Sequence, residues 1–382
     1  MGCKIIGCGK ALPERRVTND ELASLVDTSD EWIVSRTGIR ERRIAVGETA
    51  TDLGVMAARR ALGAEGGGWR SDAAEAVDPA SIDLIVCMTI SGDTVVPSQA
   101  AMLKAALGLP SAVAFDLNAA CAGCVYGMDV ASQMLELSAA EQRAAAAEGR
   151  PPRRNPLRRA LVVGTERLTR LVDWTDRATC VLFGDGAGAV VLEWREGEPG
   201  VLSSFLRNTD DLDGVLAVGN AFDMTTFPFG GPVEAAGTHS VAMAPFGGRA
   251  VATLGEAPAE GGEGGASPFI VMDGPAVFKF ASNAMAEAAC AVLERAGLAI
   301  DDVKCIVPHQ ANERIIKYAA KKLGVGLDRF QVSLASVGNT SASSVLMALA
   351  DAYLAGRIEP GDAVMLVGFG GGLTSGALLY RA

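Results

Sequence analysis

The sequence predicts an α/β protein built from two halves of one topology, and three observations carry that prediction. Apolar strand-like runs alternate with helical segments along the chain, which implies sheets covered by helices. The last third echoes the first. Ile82-Asp-Leu-Ile-Val86 followed by Lys104-Ala-Ala-Leu-Gly-Leu109 matches Val303-Lys-Cys-Ile-Val307 followed by Ala320-Lys-Lys-Leu-Gly-Val325, offset by about 220 residues, with Cys121 opposite Asn339 at a similar offset. That period is far too long for a solenoid. The 382 residues, 49% hydrophobic, suffice for a large core, and the expected halves are 1–197 and 198–382, packed back to back.

Taken in order, residues 2–10 read as a first strand. Ser29 or Asp30 caps a short helix that carries Trp32 and Arg36 and stops at Gly38. Residues 51–63 have the pattern of an amphipathic helix, and 64–80, Gly-rich and then acidic, of a surface loop. Ile82–Met88 reads as a buried strand, Pro97–Gly108 as a helix with a glycine stop. At Ala114–Met128 a strand-like run ends in small residues around Cys121 and turns into a helix. That helix runs past residue 136 and is expected to fade into an exposed insertion over 139–156. Ala160–Gly164 is another strand, and 173–193 a loop, a glycine turn and a strand. The Gly/Ala/Pro-rich stretch 231–268 is expected to be a mobile surface excursion.

Composition narrows the function. A net charge of −11 argues against a nucleic-acid surface as the main business. No apolar run reads as a membrane span. Met1-Gly-Cys-Lys-Ile-Ile6 lacks the Ser or Thr of a myristoylation signal, and no secretory leader follows, so a cytoplasmic protein is expected. The eight cysteines lie mostly in apolar runs without metal-ligand spacing, which favours reduced thiols. With only His239 and His309, a histidine-rich metal site is not expected.

Cys121 sits where a strand turns into a helix, and the helix dipole there favours a thiolate. It is either a small residue filling a corner or a nucleophile approached past Ala119, Ala120, Ala122 and Gly123. Trp32 among Arg36, Arg40, Arg42 and Arg43 suits base stacking and phosphate pairing, or else is a buried anchor beside a charged loop. His309 follows the strand Cys305–Val307, and Asn339 follows the strand near Gln331–Leu334. If the halves are related by a pseudo-twofold, these strand ends face Cys121 and make a Cys-His-Asn site. Gly184-Asp-Gly-Ala-Gly188 and Gly368-Phe-Gly-Gly-Gly372 do not complete a dinucleotide fingerprint, because Ala189 and Leu373 fill the last place. A pure binding or scaffold protein is the other class, and it predicts no covalent adduct on Cys121.

Asn118-Ala-Ala-Cys121-Ala-Gly, Pro308-His309-Gln-Ala-Asn312, Gly338-Asn339-Thr-Ser-Ala and Phe369-Gly-Gly-Gly372 together resemble the signatures of 3-oxoacyl-(acyl-carrier-protein) synthase III. Thr28–Arg42, Thr175–Thr179, Phe183–Gly188 and Val277-Phe-Lys279 resemble it too. The likeness covers the chain except near 64–78, 138–157 and 232–268. It implies a thiolase-like fold, a layered αβαβα sandwich, and a homodimer. It also implies the initiating condensation of type II fatty-acid synthesis, with acyl-CoA and malonyl-acyl-carrier protein as substrates and no permanently bound cofactor.

Carried over residue by residue, Cys121 takes the acyl group, His309 and Asn339 donate to the malonyl thioester oxygen, and the amides of Cys121 and Gly371 form the oxyanion site. Trp32 and Arg177 resemble the pair that holds the adenine of coenzyme A, with Arg36, Thr37 and Asn312 along its phosphates and pantetheine. Val96, Cys124, Phe183 and Phe369 are implied to line the acyl pocket. Val96, 25 residues before Cys121, stands where relatives often have phenylalanine and would come from the partner subunit; Cys124 is likewise smaller than its usual counterpart. Arg314, Lys317 and Lys321 recur at helical spacing, giving either a solvated face or a docking surface for an acidic carrier protein. Asn339 in place of a second histidine points to the initiating or chalcone-synthase-like branches. The alternative within the superfamily is a secondary-metabolism relative with another starter or acceptor.

Overall fold

The computed structural model describes residues 2–71, 76–211, 214–218 and 269–382. The whole Gly-rich stretch 231–268, His239 included, lies outside the described residues. The strands before residue 195 are β1 (Cys3–Ala11), β2 (Arg16–Thr18), β3 (Glu41–Arg43), β4 (Trp69–Arg70), β5 (Leu84–Met88), β6 (Val113–Leu117), β7 (Arg159–Arg167) and β8 (Asp185–Trp194). After it come β9 (Val201–Asn208), β10 (Leu216–Val218), β11 (Ile270–Met272), β12 (Val303–Pro308), β13 (Ala363–Gly370) and β14 (Thr374–Arg381). One sheet runs β4-β1-β8-β7-β5-β6 and a second β12-β13-β14-β9. β5 pairs in parallel with β6 and β7, as β12 does with β13.

Side-chain alternation sorts each strand between two layers. Ile85 and Cys87 pack with Leu53, Ala57 and Leu103 from the helices Ala50–Leu62 and Gln99–Leu107. Leu84, Val86 and Met88 face the other way, toward Val125 and Met128 of the helix Gly123–Glu148 and Leu346 and Leu349 of the helix Ser344–Leu354. Those two helices also cover Val364 and Leu366 of β13, so they form the middle layer between the sheets. Met365 and Val367 turn outward to Met285 and Ile316, on the helices Gly274–Ala296 and Glu313–Leu323. The result is five layers, αβαβα. Strands buried on both faces read as continuous apolar runs, and each fully buried aliphatic side chain contributes about 1.5–3 kcal/mol.

Several expectations are corrected. The helix after Cys121 does not fade at 139. It continues to Glu148 through an alanine run of high helix propensity, closes at Gly149, and its end is held by the Glu141–Arg150 ion pair at 2.8 Å. The supposed loop 64–80 contains β4, which pairs Trp69 with Cys8 while the Trp69 ring stacks 3.7 Å from that of Tyr353. The supposed glycine turn at 184–188 lies mostly within β8. A Cβ on Gly188 would fall 2.6 Å from Leu346 Cβ, so glycine here admits the central helix. Among the described residues one helix, Gly274–Ala296, is long and apolar enough to cross a membrane by length and composition, although 56% of its apolar window is buried inside the protein. The register between the halves also shifts. Ala120 and Ser341 begin equivalent 3₁₀ turns before the two central helices, which pairs Asn118 with Asn339 and sets Cys121 opposite Ala342.

Candidate active site

Three chain crossings meet at one cavity of about 1950 Å³, and Cys121, His309 and Asn339 all line it. Cys121 lies in the 3₁₀ turn Ala120–Ala122, directly before the 26-residue helix Gly123–Glu148. It is 8% exposed. Burial pushes its thiol up to about 12, the Ser341 side chain pulls it down, and the charge of Glu166 adds to the rise. Burial therefore outweighs the helix N-terminus, contrary to the thiolate expected from the turn alone. Gly370, the last residue of β13, backs onto this turn. A Cβ there would fall 2.5 Å from the Cys121 nitrogen, so only glycine lets the strand end approach the nucleophile's amide. Gly371 follows it along the cavity wall.

His309 leaves the end of β12 with its amide bonded to Val367 O at 2.8 Å. Its Nδ1 lies 2.6 Å from Ser344 Oγ, which accepts from the Gln310 amide at 3.4 Å. A Ser344 hydroxyl that donates to Nδ1 leaves the imidazole proton on Nε2. Burial lowers the imidazole pKa to about 3, so His309 is a neutral donor at physiological pH. Its ring meets Phe369 edge to face at 5.1 Å. Gln310 anchors the loop by donating to Pro308 O and Gln331 O and accepting from the Ser333 and Leu334 amides. Asn339 orients itself by accepting the Ser341 amide on Oδ1 at 2.9 Å, which turns its NH₂ into the available donor.

Trp32, Arg36, Thr37 and Asn312 line the cavity as well. Ser29, not Asp30, caps the Trp32 helix by accepting the Trp32 amide. The Arg177 guanidinium lies 5.0 Å above the Trp32 ring and that of Arg36 5.7 Å from it. Asn312 donates to Arg36 O at 3.1 Å and caps the helix Glu313–Leu323, tying the two sides together. Arg42 does not join this group. It is fully buried, donates to Val17 O, Asn19 Oδ1 and Val181 O, and burial pulls it down to about 10. Arg43 bonds Pro13 O and Glu14 O, so it too is tied to the backbone.

Val96, Phe183 and Phe369 line the cavity. Cys124 does not. Three residues along the helix from Cys121, it points into the central layer beside Met88 and Met128 and is fully buried. On the helix beyond His309, Arg314 reaches the cavity and lies 5.7 Å from the Phe278 ring, while Lys317 pairs with Glu313 at 2.8 Å. Lys321 is exposed on the same helix. Among the described residues no three His, Cys, Asp or Glu side chains converge as metal ligands. Ser344, Gln310 and Ser341 belong to the site without standing out in the sequence. Ser344 is only five positions past Asn339, and its place at the end of that polar run is the one signal that marks it.

Models of 3-oxoacyl-[acyl-carrier-protein (ACP)] synthase III match residues 153–210, and of its C-terminal part residues 293–382. A beta-ketoacyl-[acyl-carrier-protein] synthase III of Symbiobacterium thermophilum is 41% identical over 378 residues, covering 99% of this chain and 97% of that one. Among solved structures, the 3-oxoacyl-[acyl-carrier-protein] synthase III of Aquifex aeolicus aligns over all of both chains at 34% identity and a TM-score of 0.77. The priming beta-ketosynthase of the R1128 polyketide pathway covers 100% of this chain and 96% of that one, at 32% identity and a TM-score of 0.77. The five-layered arrangement is therefore the thiolase-like fold, and the chain belongs to the 3-oxoacyl-[acyl-carrier-protein] synthase III family.

Proposed function

We propose that this protein catalyses the initiating decarboxylative condensation of an acyl-CoA primer with malonyl-acyl-carrier protein, the reaction that its family resemblance implies. The observation that carries the reading is the convergence of a cysteine, a neutral histidine and an oriented asparagine on one cavity whose other wall holds Trp32 and Arg36. Cys121 sulfur attacks the acyl thioester. The amides of Cys121 and Gly371 hold the tetrahedral oxyanion, coenzyme A leaves as its thiol, and the acyl group stays on sulfur. The malonyl thioester then loses CO₂. The electrons of the broken C–C bond pass to the thioester oxygen, which needs donors rather than a base, and His309 Nε2–H and the Asn339 NH₂ supply them. The enolate carbon attacks the acyl-cysteine, the C–S bond breaks, and the departing thiolate takes up a proton from solvent.

In this reading Trp32 and Arg177 hold the adenine of coenzyme A, Arg36, Thr37 and Asn312 flank its pantetheine path, and no cofactor is permanently bound. Arg314, Lys317 and Lys321 dock the carrier protein. The enzyme is a cytoplasmic homodimer, its halves divide near residues 197 and 198, and Val96 of one subunit closes the tunnel of the other. The likeness to a polyketide priming ketosynthase supports a second reading, in which the starter or acceptor belongs to secondary metabolism.

Mass spectrometry after incubation with acetyl-CoA tests the first step. Wild type should gain one acetyl group on Cys121, and a persistent stoichiometric adduct on another cysteine of Cys121→Ser would end the assignment. Replacing His309 or Asn339 with Ala should slow malonyl decarboxylation about 10²–10³-fold, the usual loss for one oxyanion donor, and affect cysteine acylation much less.

A further inference from the structure

Beneath the cavity lies a buried carboxylate that the reaction above does not use. Glu166, near the end of β7, is fully buried and is not among the residues lining the cavity. It accepts from Thr89 Oγ1 at 3.1 Å, from the Ile90 amide at 3.2 Å, from Ser91 Oγ and from the Ala342 amide. Ser91 Oγ in turn accepts from the Arg167 amide at 2.7 Å. No ion pair reaches Glu166 among the described residues. A buried carboxylate without a cation is costly, and burial raises its pKa to about 7 against the pull of its donors. A corner that needed only filling would be served by an uncharged side chain.

The donors come from two places that matter for the reaction. Thr89, Ile90 and Ser91 begin the segment that continues through Gly92, Asp93, Thr94 and Val95 to Val96, most of it along the cavity wall. Farther along, Asp93 accepts the Ala50 and Thr51 amides at 2.9 and 2.8 Å, so the base of the segment is fastened while Val95 and Val96 stand 67% and 85% exposed at its tip. Ala342 belongs to the turn whose Ser341 amide orients Asn339. β7 is pressed against that turn, where a Cβ on Gly164 would fall 2.7 Å from Ala342 O.

We propose that Glu166 is a positioning residue that fastens the acyl-tunnel segment and the Asn339 turn to each other, so that one buried carboxylate sets both primer selection and malonyl decarboxylation. The inference rests on the condensing reaction proposed above. Glu166→Gln keeps the shape but turns an NH₂ toward a site crowded with donors, whereas Ser91→Ala removes the bond to Glu166 and the one accepted from the Arg167 amide and leaves the Ala342 contact in place.

The test measures Cys121 acylation with straight-chain acyl-CoAs of two to eight carbons by mass spectrometry, and CO₂ release from malonyl-acyl-carrier protein, on full-length protein. Glu166→Gln should cut decarboxylation about tenfold and change the ratio of long to short primers about fivefold, the scale expected for disturbing one buried charge-assisted bond. Ser91→Ala should change the primer ratio and leave decarboxylation within about twofold. The proposal is overturned if Glu166→Gln lowers both half-reactions by one factor for every primer, or if Ser91→Ala leaves the primer ratio unchanged. The second criterion decides even if the Gln variant does not fold. A wild type that neither acylates Cys121 nor releases CO₂ removes the condensing reading and this inference together. A wild type that does both while the variants behave uniformly removes only the inference.

Discussion

Ala120 and Ser341 hold the same left-handed turn in the two halves, at φ +45° and +47°. Each amide is accepted by the side-chain oxygen of the asparagine two residues earlier, Asn118 at 3.1 Å and Asn339 at 2.9 Å. The duplication thus built one strained corner twice, and the copies diverged, one presenting a thiol and the other an amide donor. Left-handed non-glycine residues cost on the order of 1–3 kcal/mol and persist where the surroundings enforce them. Ala120→Gly should therefore leave urea-unfolding stability unchanged or raise it by up to about 1 kcal/mol, because glycine relieves the strain. Ala120→Val should cost about 1–3 kcal/mol and slow Cys121 acylation, since a branched side chain at this φ also meets Gly370. Equal stability of the two variants would show that the corner is unstrained.

Much of this site is legible from residue types, and the reasons for the exceptions are physical. Cys121, His309 and Asn339 announce themselves by small or polar neighbours at strand ends, and the repeat sets those ends opposite each other. The residue-by-residue register of the repeat is harder, because it depends on backbone dihedrals at Ala120 and Ser341 that no side-chain pattern reveals. Likeness to larger residues puts Cys124 in the acyl pocket, whereas helical rotation from Cys121 turns it into the core. Glycines in β8 look like a turn because their real partners, Leu346 and Met347, are far away in sequence. Arg42 looks like a phosphate ligand among other arginines, and only its burial shows that it binds carbonyls. Composition likewise favours a loop at 64–80, where pairing of Trp69 with Cys8 decides otherwise.

The Ser344 hydroxyl, donating to Nδ1, would hold the proton of His309 on Nε2. With its pKa lowered to about 3 by burial, His309 should show a neutral Nε2–H imidazole in ¹⁵N spectra from pH 8 down to about pH 5. Ser344→Ala should lower malonyl decarboxylation about tenfold, the value of one buried hydrogen bond, with cysteine acylation within about twofold. An imidazolium signal at pH 6 would contradict this donor role.

Glu166 also predicts a pH dependence of stability. Its folded pKa is raised by burial from 4.5 to about 7, so the native state holds that proton more tightly than the unfolded chain does. Its contribution is complete below about pH 4.5 and disappears as the pH rises through 7, a change on the order of 3 kcal/mol. His309 acts in the opposite sense, its depressed value favouring the native state above pH 6.5, but wild type and Glu166→Gln share it. Denaturant midpoints of the two proteins should therefore shift in favour of wild type on going from pH 8 to pH 5. A difference that does not change with pH would place the Glu166 pKa near its ordinary value.

Carrier docking gives a kinetic prediction. Arg314 stands at the cavity against the Phe278 ring, whereas Lys317 is partly neutralised by Glu313. Arg314→Glu should thus raise KM for malonyl-acyl-carrier protein more than Lys317→Glu does, with acetyl-CoA acylation of Cys121 nearly intact. Added salt should weaken wild-type binding in the same direction, because steering by surface charge is screened. Indifference of the carrier-dependent rate to both variants would leave this helix as a solvated face.

Val96 carries the prediction on primer length. It lines the cavity and is 85% exposed in the single chain, at the tip of a segment anchored through Glu166 and Asp93. An apolar side chain so placed on a held loop suits insertion into a second subunit, where it would close the far end of that subunit's acyl tunnel. Valine leaves more room than the phenylalanine that the family resemblance implies for this position. Each methylene that a primer buries in that room adds about 0.8 kcal/mol, so space for two or more carbons changes selectivity about tenfold or more. Cys124, deep in the central layer, contributes none of this space. Wild type should therefore accept acyl-CoAs of six or more carbons. Val96→Phe should depress activity on them at least tenfold and spare acetyl-CoA, read as kcat/KM over a chain-length series. Because the side chain acts across the interface, an inactive Cys121→Ala subunit carrying Val96→Phe, mixed with wild type into heterodimers, should impose the short-primer preference on the wild-type active site. A wild-type enzyme confined to two- and three-carbon primers would remove the hypothesis, as would heterodimers that keep the wild-type profile.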